Sequence, residues 1–133
     1  MKKNPYKIPL PTESAEQQQL FEWARLQSGA CPGLAYMYHV PNGGLRNKAV
    51  AAKLKAEGVK PGVPDVCLPV PRDGYHGLYF EMKRHGEKTS SMQEQWLCFL
   101  SMQGYKTATC HGCEEAILLV CEYMGLRPPI MKG

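Results

Sequence analysis

Charged side chains interrupt two apolar, strand-like segments near the middle of the chain. Residues 62–68 carry Asp65, and residues 78–83 carry Glu81 and Lys83. Because side chains alternate across a strand, Glu81 and Lys83 lie on one face of the second segment, opposite its apolar residues. An ionised carboxylate among apolar residues is costly unless a cation compensates its charge. The pattern therefore indicates a site that binds a divalent cation.

The composition is that of a single globular domain. The chain has 133 residues, 44% of them hydrophobic, so we expect one domain over residues 1–133 with its own core. It has no apolar run of membrane-spanning length and no signal-peptide pattern, so we expect no membrane association and a cytoplasmic location. The six cysteines lie in apolar segments and are predicted to be reduced. Cys110 and Cys113 have zinc-like spacing, but the chain has no second such pair, which favours a turn.

The apolar pattern predicts eight elements in the order αβαββαβα. Helices are expected from Ser14 to about Gly29 and over residues 45–57, 90–104 and 114–124, and strands over residues 35–40, 63–69, 77–83 and 105–110. The two charged strands are joined by a hairpin-like loop and should pair antiparallel. The third helix is expected to face the core with Trp96, Leu97, Phe99 and Leu100. This order fits an α/β fold, a small mixed sheet covered by helices.

Two polar residues lie on helix faces that the pattern predicts to be buried. Glu16 precedes Leu20 by four positions, and Gln93 precedes Leu97 by four. If these faces are buried, Glu16 supplies a third acid to the cation site and Gln93 supplies an amide. Alternatively, Glu16 only favours the positive N-terminus of its own helix, and Gln93 only completes a capping box with Ser90. Both interpretations stay open.

The segment between the first strand and the second helix suits a polyanion. A glycine pair lies next to a basic helix start, and the formal net charge of the chain is +4. A lone histidine is more often structural, and a lysine cluster is as often a solvated helix face. The candidate phosphate-binding residues are His39, Asn42, Gly43, Gly44, Arg46, Lys48, Lys53 and Lys55.

The motifs together closely resemble those of the virus-type replication-repair nuclease (VRR-NUC) domain, a branch of the PD-(D/E)XK nuclease superfamily. The resemblance covers residues 13–124. It rests on Gly62-Val63-Pro64-Asp65, Glu81-Met82-Lys83, Gln93 three residues before Trp96, a glutamate in the leading helix, and His39-Val40-Pro41-Asn42-Gly43-Gly44. It implies the restriction-endonuclease-like fold, with a mixed central sheet flanked by helices.

The resemblance also implies a metal-dependent deoxyribonuclease. Mg²⁺ or Mn²⁺ would be held by Asp65, Glu81, the backbone carbonyl of Met82, and Glu16. Lys83 would stabilise developing charge, and Gln93 would position Lys83 or a water molecule. Two choices stay open, because Glu13 competes with Glu16 for the role of helix acid and Gln95 competes with Gln93.

The resemblance to small members of this family implies that the protein forms a homodimer, similar to Holliday-junction resolvases, and acts on branched DNA. A two-fold pair of sites would match the symmetry of a four-way junction, and the apolar final helix and the 126–130 tail are candidate contact surfaces. The alternatives are a flap endonuclease or exonuclease, or a DNA-binding module without catalysis. In that module, Glu81 and Lys83 would form only a salt bridge.

Overall fold

Four helices and a four-stranded sheet make up the fold. The computed structural model describes residues 11–41 and 47–130. The helices are α1 (Glu13–Gln27), α2 (Lys48–Ala56), α3 (Ser91–Met102) and α4 (Cys113–Met124), and the strands are β1 (Tyr38–His39), β2 (Val66–Leu68), β3 (Leu78–Lys83) and β4 (Lys106–His111). A 3₁₀ turn, Pro32–Tyr36, precedes β1. The predicted order αβαββαβα is confirmed.

The sheet is mixed, with the strand order β1-β2-β3-β4. β2 pairs antiparallel with both β1 and β3, as predicted for the two charged strands, whereas β3 and β4 are parallel. The parallel pair needs a crossover connection, which α3 provides. The predicted α/β class, a mixed sheet flanked by helices, is confirmed.

The hydrophobic core lies on one face of the sheet. Leu78, Phe80 and Met82 of β3 are fully buried and pack in one cluster with residues of α1 and α4. The opposite face of β3 carries Tyr79, Glu81 and Lys83, because strand side chains alternate. On that face α3 packs against β3 and β4. Glu81 therefore lies on the α3 side of the sheet, where Gln93 contacts it.

The helix α4, a candidate dimer contact from its sequence, packs mainly inside the domain. Ile117, Val120 and Tyr123 are buried, and only Leu118 among its large apolar side chains is exposed, at 43%.

Helix α3 exposes more large apolar side chains than α4 does. Phe99, which the helical pattern predicts to face the core, is 57% exposed, because Leu97 and Leu100 already fill the side that meets the sheet.

Local capping explains where the helices begin. The Thr12 hydroxyl accepts a hydrogen bond from the Ala15 N–H at 3.0 Å, so α1 starts with Thr12 as its cap rather than Ser14. Asn47 caps α2 in the same way. The strand predicted over residues 35–40 is shorter, because the 3₁₀ turn carries Leu34 into the core and leaves only Tyr38 and His39 to pair with β2.

Helix α2 is exposed along its length. It has no buried residue, and within residues 11–41 and 47–130 it makes no extensive contact with another helix or strand. A helix this short is marginal in water without a packing partner. In those same ranges, no helix combines the length and the apolar character needed to cross a membrane.

Candidate active site

Asp65 lies immediately before β2 and is held by the strands on both sides. Its Oδ2 accepts a hydrogen bond from the backbone N–H of Met82 at 2.9 Å. Its backbone carbonyl accepts from the Val40 N–H and from His39 Nδ1, each at 2.8 Å. The β2–β3 register places Pro64, which has no N–H, opposite Met82, so the Asp65 carboxylate serves as the partner there. The acid is therefore fixed next to the middle of the Glu81-Met82-Lys83 segment.

Glu81 is completely buried beside Asp65. Its Oε2 accepts a hydrogen bond from Gln93 Nε2 at 3.3 Å, whereas Oε1 has no hydrogen-bond partner in the described part of the chain. Burial and the adjacent Asp65 carboxyl raise the pKa of Glu81 to about 9, and the positive charge of Lys83 opposes the rise only in part. Without a cation the carboxyl is therefore protonated at neutral pH.

The first turn of α1 carries Glu13 to this site. Burial and the Asp65 charge raise the pKa of Glu13, while Lys83 lowers it, so Glu13 lies within electrostatic reach of both residues. Glu16 points elsewhere, because its Oε2 accepts a hydrogen bond from the Cys113 N–H at the start of α4. The two candidates for the helix acid therefore differ in position: Glu13, the alternative, lies near Asp65 and Lys83, whereas Glu16, the predicted residue, contacts the start of α4.

Gln93 both completes the capping box and contacts Glu81. Its Oε1 accepts from the Ser90 N–H at 2.8 Å, and its N–H donates to the Ser90 hydroxyl at 3.2 Å, which completes a capping box. Its Nε2 is not used by the capping box and donates a hydrogen bond to Glu81 Oε2. Gln95 is exposed and lines a shallow groove with Met92 and Phe99 on the outer side of α3. The structure therefore brings Gln93 to the site and leaves Gln95 outside it.

The donor set suits a hard divalent cation. In the described ranges, no three His, Cys, Asp or Glu side chains form a compact metal-binding cluster. Mg²⁺ typically binds through one or two carboxylates and keeps several water ligands. The unpartnered oxygen of Glu81 and the neighbouring Asp65 fit that pattern. In a strand, the N–H and C=O of one residue point to the same side, so the Met82 carbonyl also lies on the Asp65 side.

The predicted phosphate-binding residues fall into two groups. His39 is exposed at the edge of the site, with its ring held by the Asp65 carbonyl, and Lys48, Lys53 and Lys55 are exposed on α2. The other predicted residues lie outside the described residues; they are Asn42, Gly43, Gly44 and Arg46.

The model of the VRR-NUC domain family matches residues 11–114, and the chain belongs to this family, whose domain implies a nuclease of the PD-(D/E)XK type. A solved structure described as a VRR_NUC domain protein is 28% identical to the chain, with a TM-score of 0.77, and the match covers 90% of this chain and 93% of that one. The comparison with curated proteins found no significant match. Nuclease domains of this type generally use divalent metals.

Proposed function

We propose that the protein is a Mg²⁺- or Mn²⁺-dependent deoxyribonuclease that hydrolyses phosphodiester bonds in branched DNA. The observation that carries the proposal is the completely buried Glu81 carboxyl, which lies within hydrogen-bonding reach of a second acid, Asp65. Two adjacent carboxyls repel one another when both are ionised. A bound cation would compensate their charge and let both ionise.

Asp65, Glu81 and the Met82 carbonyl would hold the cation, with Glu13 as an additional acid that would act through water. When bound, the ion would polarise a phosphate oxygen and lower the pKa of a water molecule. Glu13 replaces Glu16 in this proposal because the charges of Asp65 and Lys83 act on the Glu13 carboxyl, whereas the Glu16 carboxylate accepts a hydrogen bond from the Cys113 N–H at the start of α4. The Met82 N–H keeps the Asp65 carboxylate in place.

Lys83 and Gln93 would have different roles beside Glu81. Lys83 shares the strand face of Glu81, so its ammonium group can stabilise the negative charge that develops on the phosphate during hydrolysis. Gln93 Nε2 donates to Glu81, so we assign Gln93 the role of orienting this carboxyl rather than Lys83 or the water molecule. Its side chain is itself fixed by the capping box with Ser90.

The exposed helix α2 would bind the DNA backbone. Its lysines are solvent-exposed, and the helix lacks extensive packing against the rest of the described domain, so a polyanion would give it a partner. His39 is exposed beside Asp65, where its imidazole would contact a phosphate. Asn42, Gly43, Gly44 and Arg46 belong to the same proposed surface by sequence position only.

A homodimer would bring two such sites to the two opposed strands of a four-way junction. The exposed apolar residues of α3 are the best candidate for the contact, with Met92 41%, Phe99 57% and Met102 78% exposed. Phe99 follows Met92 by seven residues and Met102 follows Phe99 by three, so the three side chains lie along one side of the helix. This surface replaces α4 as the proposed dimer interface.

Two other functions are less well supported. A flap endonuclease or exonuclease would use the same site without the dimer. A non-catalytic DNA-binding module would require Glu81 and Lys83 to neutralise one another, yet no ion pair joins these two residues, both of which lie in the described part of the chain.

The proposal is tested with labelled four-way, flapped, splayed and linear DNA, each incubated with Mg²⁺, Mn²⁺ or EDTA. We expect metal-dependent cleavage, fastest on the four-way junction and with paired cuts. Preference for the flap would replace the resolvase proposal with the flap nuclease. Absence of cleavage on every substrate with either metal would contradict the nuclease proposal.

A further inference from the structure

A row of side chains crosses the sheet on the face that carries the candidate active site. Tyr38 of β1 lies opposite Cys67 of β2, which lies opposite Tyr79 of β3. Tyr79 precedes Glu81 by two residues, so the two side chains share a face and are separated by about 6.7 Å along the strand. Tyr79, and with it the row, therefore lies two residues along β3 from Glu81 of the candidate active site.

The aromatic rings in this row cover the buried thiol of Cys67. Tyr38 and Tyr79 both lie beside that thiol, which is only 3% exposed. Tyr105 meets Tyr79 edge to face, with ring centroids 5.2 Å apart and planes at 75°. We call Tyr38, Tyr79 and Tyr105 the tyrosine row. Its outer member, Tyr38, is 47% exposed.

Packing within the domain does not account for this exposure. The core is on the opposite face of the sheet, and α3 contacts β3 and β4 but makes no extensive contact with β1 or β2 in the described residues. The row itself contains no carboxylate, so it does not repel a polyanion. Tyrosine presents both a flat π surface and a hydroxyl, the combination that stacks on nucleobases and hydrogen-bonds their edges.

We propose that the tyrosine row binds an unpaired nucleobase by stacking on Tyr38, next to the candidate active site at Asp65, Glu81 and Lys83. This inference rests on the proposed nuclease function and deepens it. Only a base that has left the duplex stack can lie flat on a sheet face, so the subsite selects DNA with unpaired nucleotides beside the cut. The continuity of the row with the candidate active site is what identifies the occupant as the substrate strand.

The test uses DNA with a single 2-aminopurine as the unpaired base, in EDTA so that no cleavage occurs. We expect wild-type protein to quench its fluorescence, and Tyr38→Ala to weaken binding about tenfold, within the range for loss of one base stack. Tyr38→Phe keeps the π surface and should retain most of the quenching. Tyr38→Leu keeps an apolar side chain without the π surface and should lose it.

Tyr75→Ala is the matched control, since Tyr75 is 39% exposed but packs near Tyr123 of α4, on the core side of the sheet. It should bind like the wild type. Equal quenching by wild type, Tyr38→Ala and Tyr38→Leu would overturn the subsite, while metal-dependent cleavage by wild type would still support the nuclease. If Tyr38→Ala instead converts a dimer to a monomer, the row is a contact between copies and the inference is wrong.

Discussion

The Asp65 carboxylate accepts a hydrogen bond from the backbone N–H of Met82 at 2.9 Å, and this contact sets the geometry of the candidate site. It joins the start of β2 to the residue between Glu81 and Lys83. Because strand side chains alternate, both neighbours of Met82 point to the face covered by α3. One backbone contact thus places two acids and a lysine together.

Glu13 and Glu16 give a matched pair of variants. We expect Glu13→Gln to reduce cleavage at least tenfold, because Glu13 is the acid near Asp65 and Lys83. Glu16→Gln should retain most activity but lower stability by about 1 kcal/mol, because it weakens the contact with the Cys113 N–H at the start of α4. Cleavage rates and urea unfolding measure the two effects. The reverse pattern of activities would return the role of helix acid to Glu16.

Glu81 makes the stability of the metal-free protein depend on pH. Its pKa rises from an ordinary 4.5 to about 9, so between these values the folded protein binds a proton that the unfolded chain releases. Stability should therefore fall as the pH rises through this window. Glu81→Gln removes the titration and should be more stable than wild type at pH 9 by about 1–3 kcal/mol. Unfolding in EDTA at pH 5, 7 and 9 checks this, and parallel curves for the two proteins would contradict it.

Salt dependence tests the role of α2. If Lys53 and Lys55 contact phosphates, replacing both with alanine should reduce the slope of log affinity against log salt by roughly one unit per lost contact. Arg25→Ala combined with Arg127→Ala removes the same charge from exposed positions elsewhere and should leave the slope nearly unchanged. Filter-binding at several salt concentrations gives both slopes. Equal slopes in the two double variants would support a merely solvated helix face.

The outer face of α3 is tested through the oligomeric state. Phe99→Glu places a charge at the centre of the proposed contact and should raise the dimer dissociation constant about tenfold or more. Leu26→Glu changes a side chain that is 65% exposed on α1 and serves as the control. Light scattering over a concentration series measures both. A wild-type monomer at micromolar concentration would refute the dimer.

Local patterns place the sheet residues of the candidate site on one strand face, but they do not distinguish the two candidates for the helix acid. Alternation along β3 places Glu81 and Lys83 on one face whatever the surrounding fold. Glu13 and Glu16 lie seven and four residues before Leu20, so both share its helix face in the sequence. What separates them is the position of the α4 N-terminus, a tertiary contact that no periodicity contains.

The same distinction between local pattern and tertiary contact explains where the observed fold differs from the predicted one. The tyrosine-rich residues 35–40 have strand propensity, but burial of Leu34 favours a turn and shortens β1 to two residues. The apolar character of α4 was compatible with either a core or an interface, and the structure places most of it in the core. Propensity indicates that an apolar surface is covered, whereas the partner that covers it depends on topology.

The most direct test of the central claim is cleavage of a labelled four-way junction by wild type and by Asp65→Ala in Mg²⁺, Mn²⁺ and EDTA. Lys83→Met, assayed alongside, should bind the junction normally but cleave it at least a hundredfold more slowly. We predict that wild type cuts only with a divalent metal and that Asp65→Ala, folded as judged by circular dichroism, does not cut. Full cleavage by Asp65→Ala, or cleavage by wild type in EDTA, would contradict the proposed metal site.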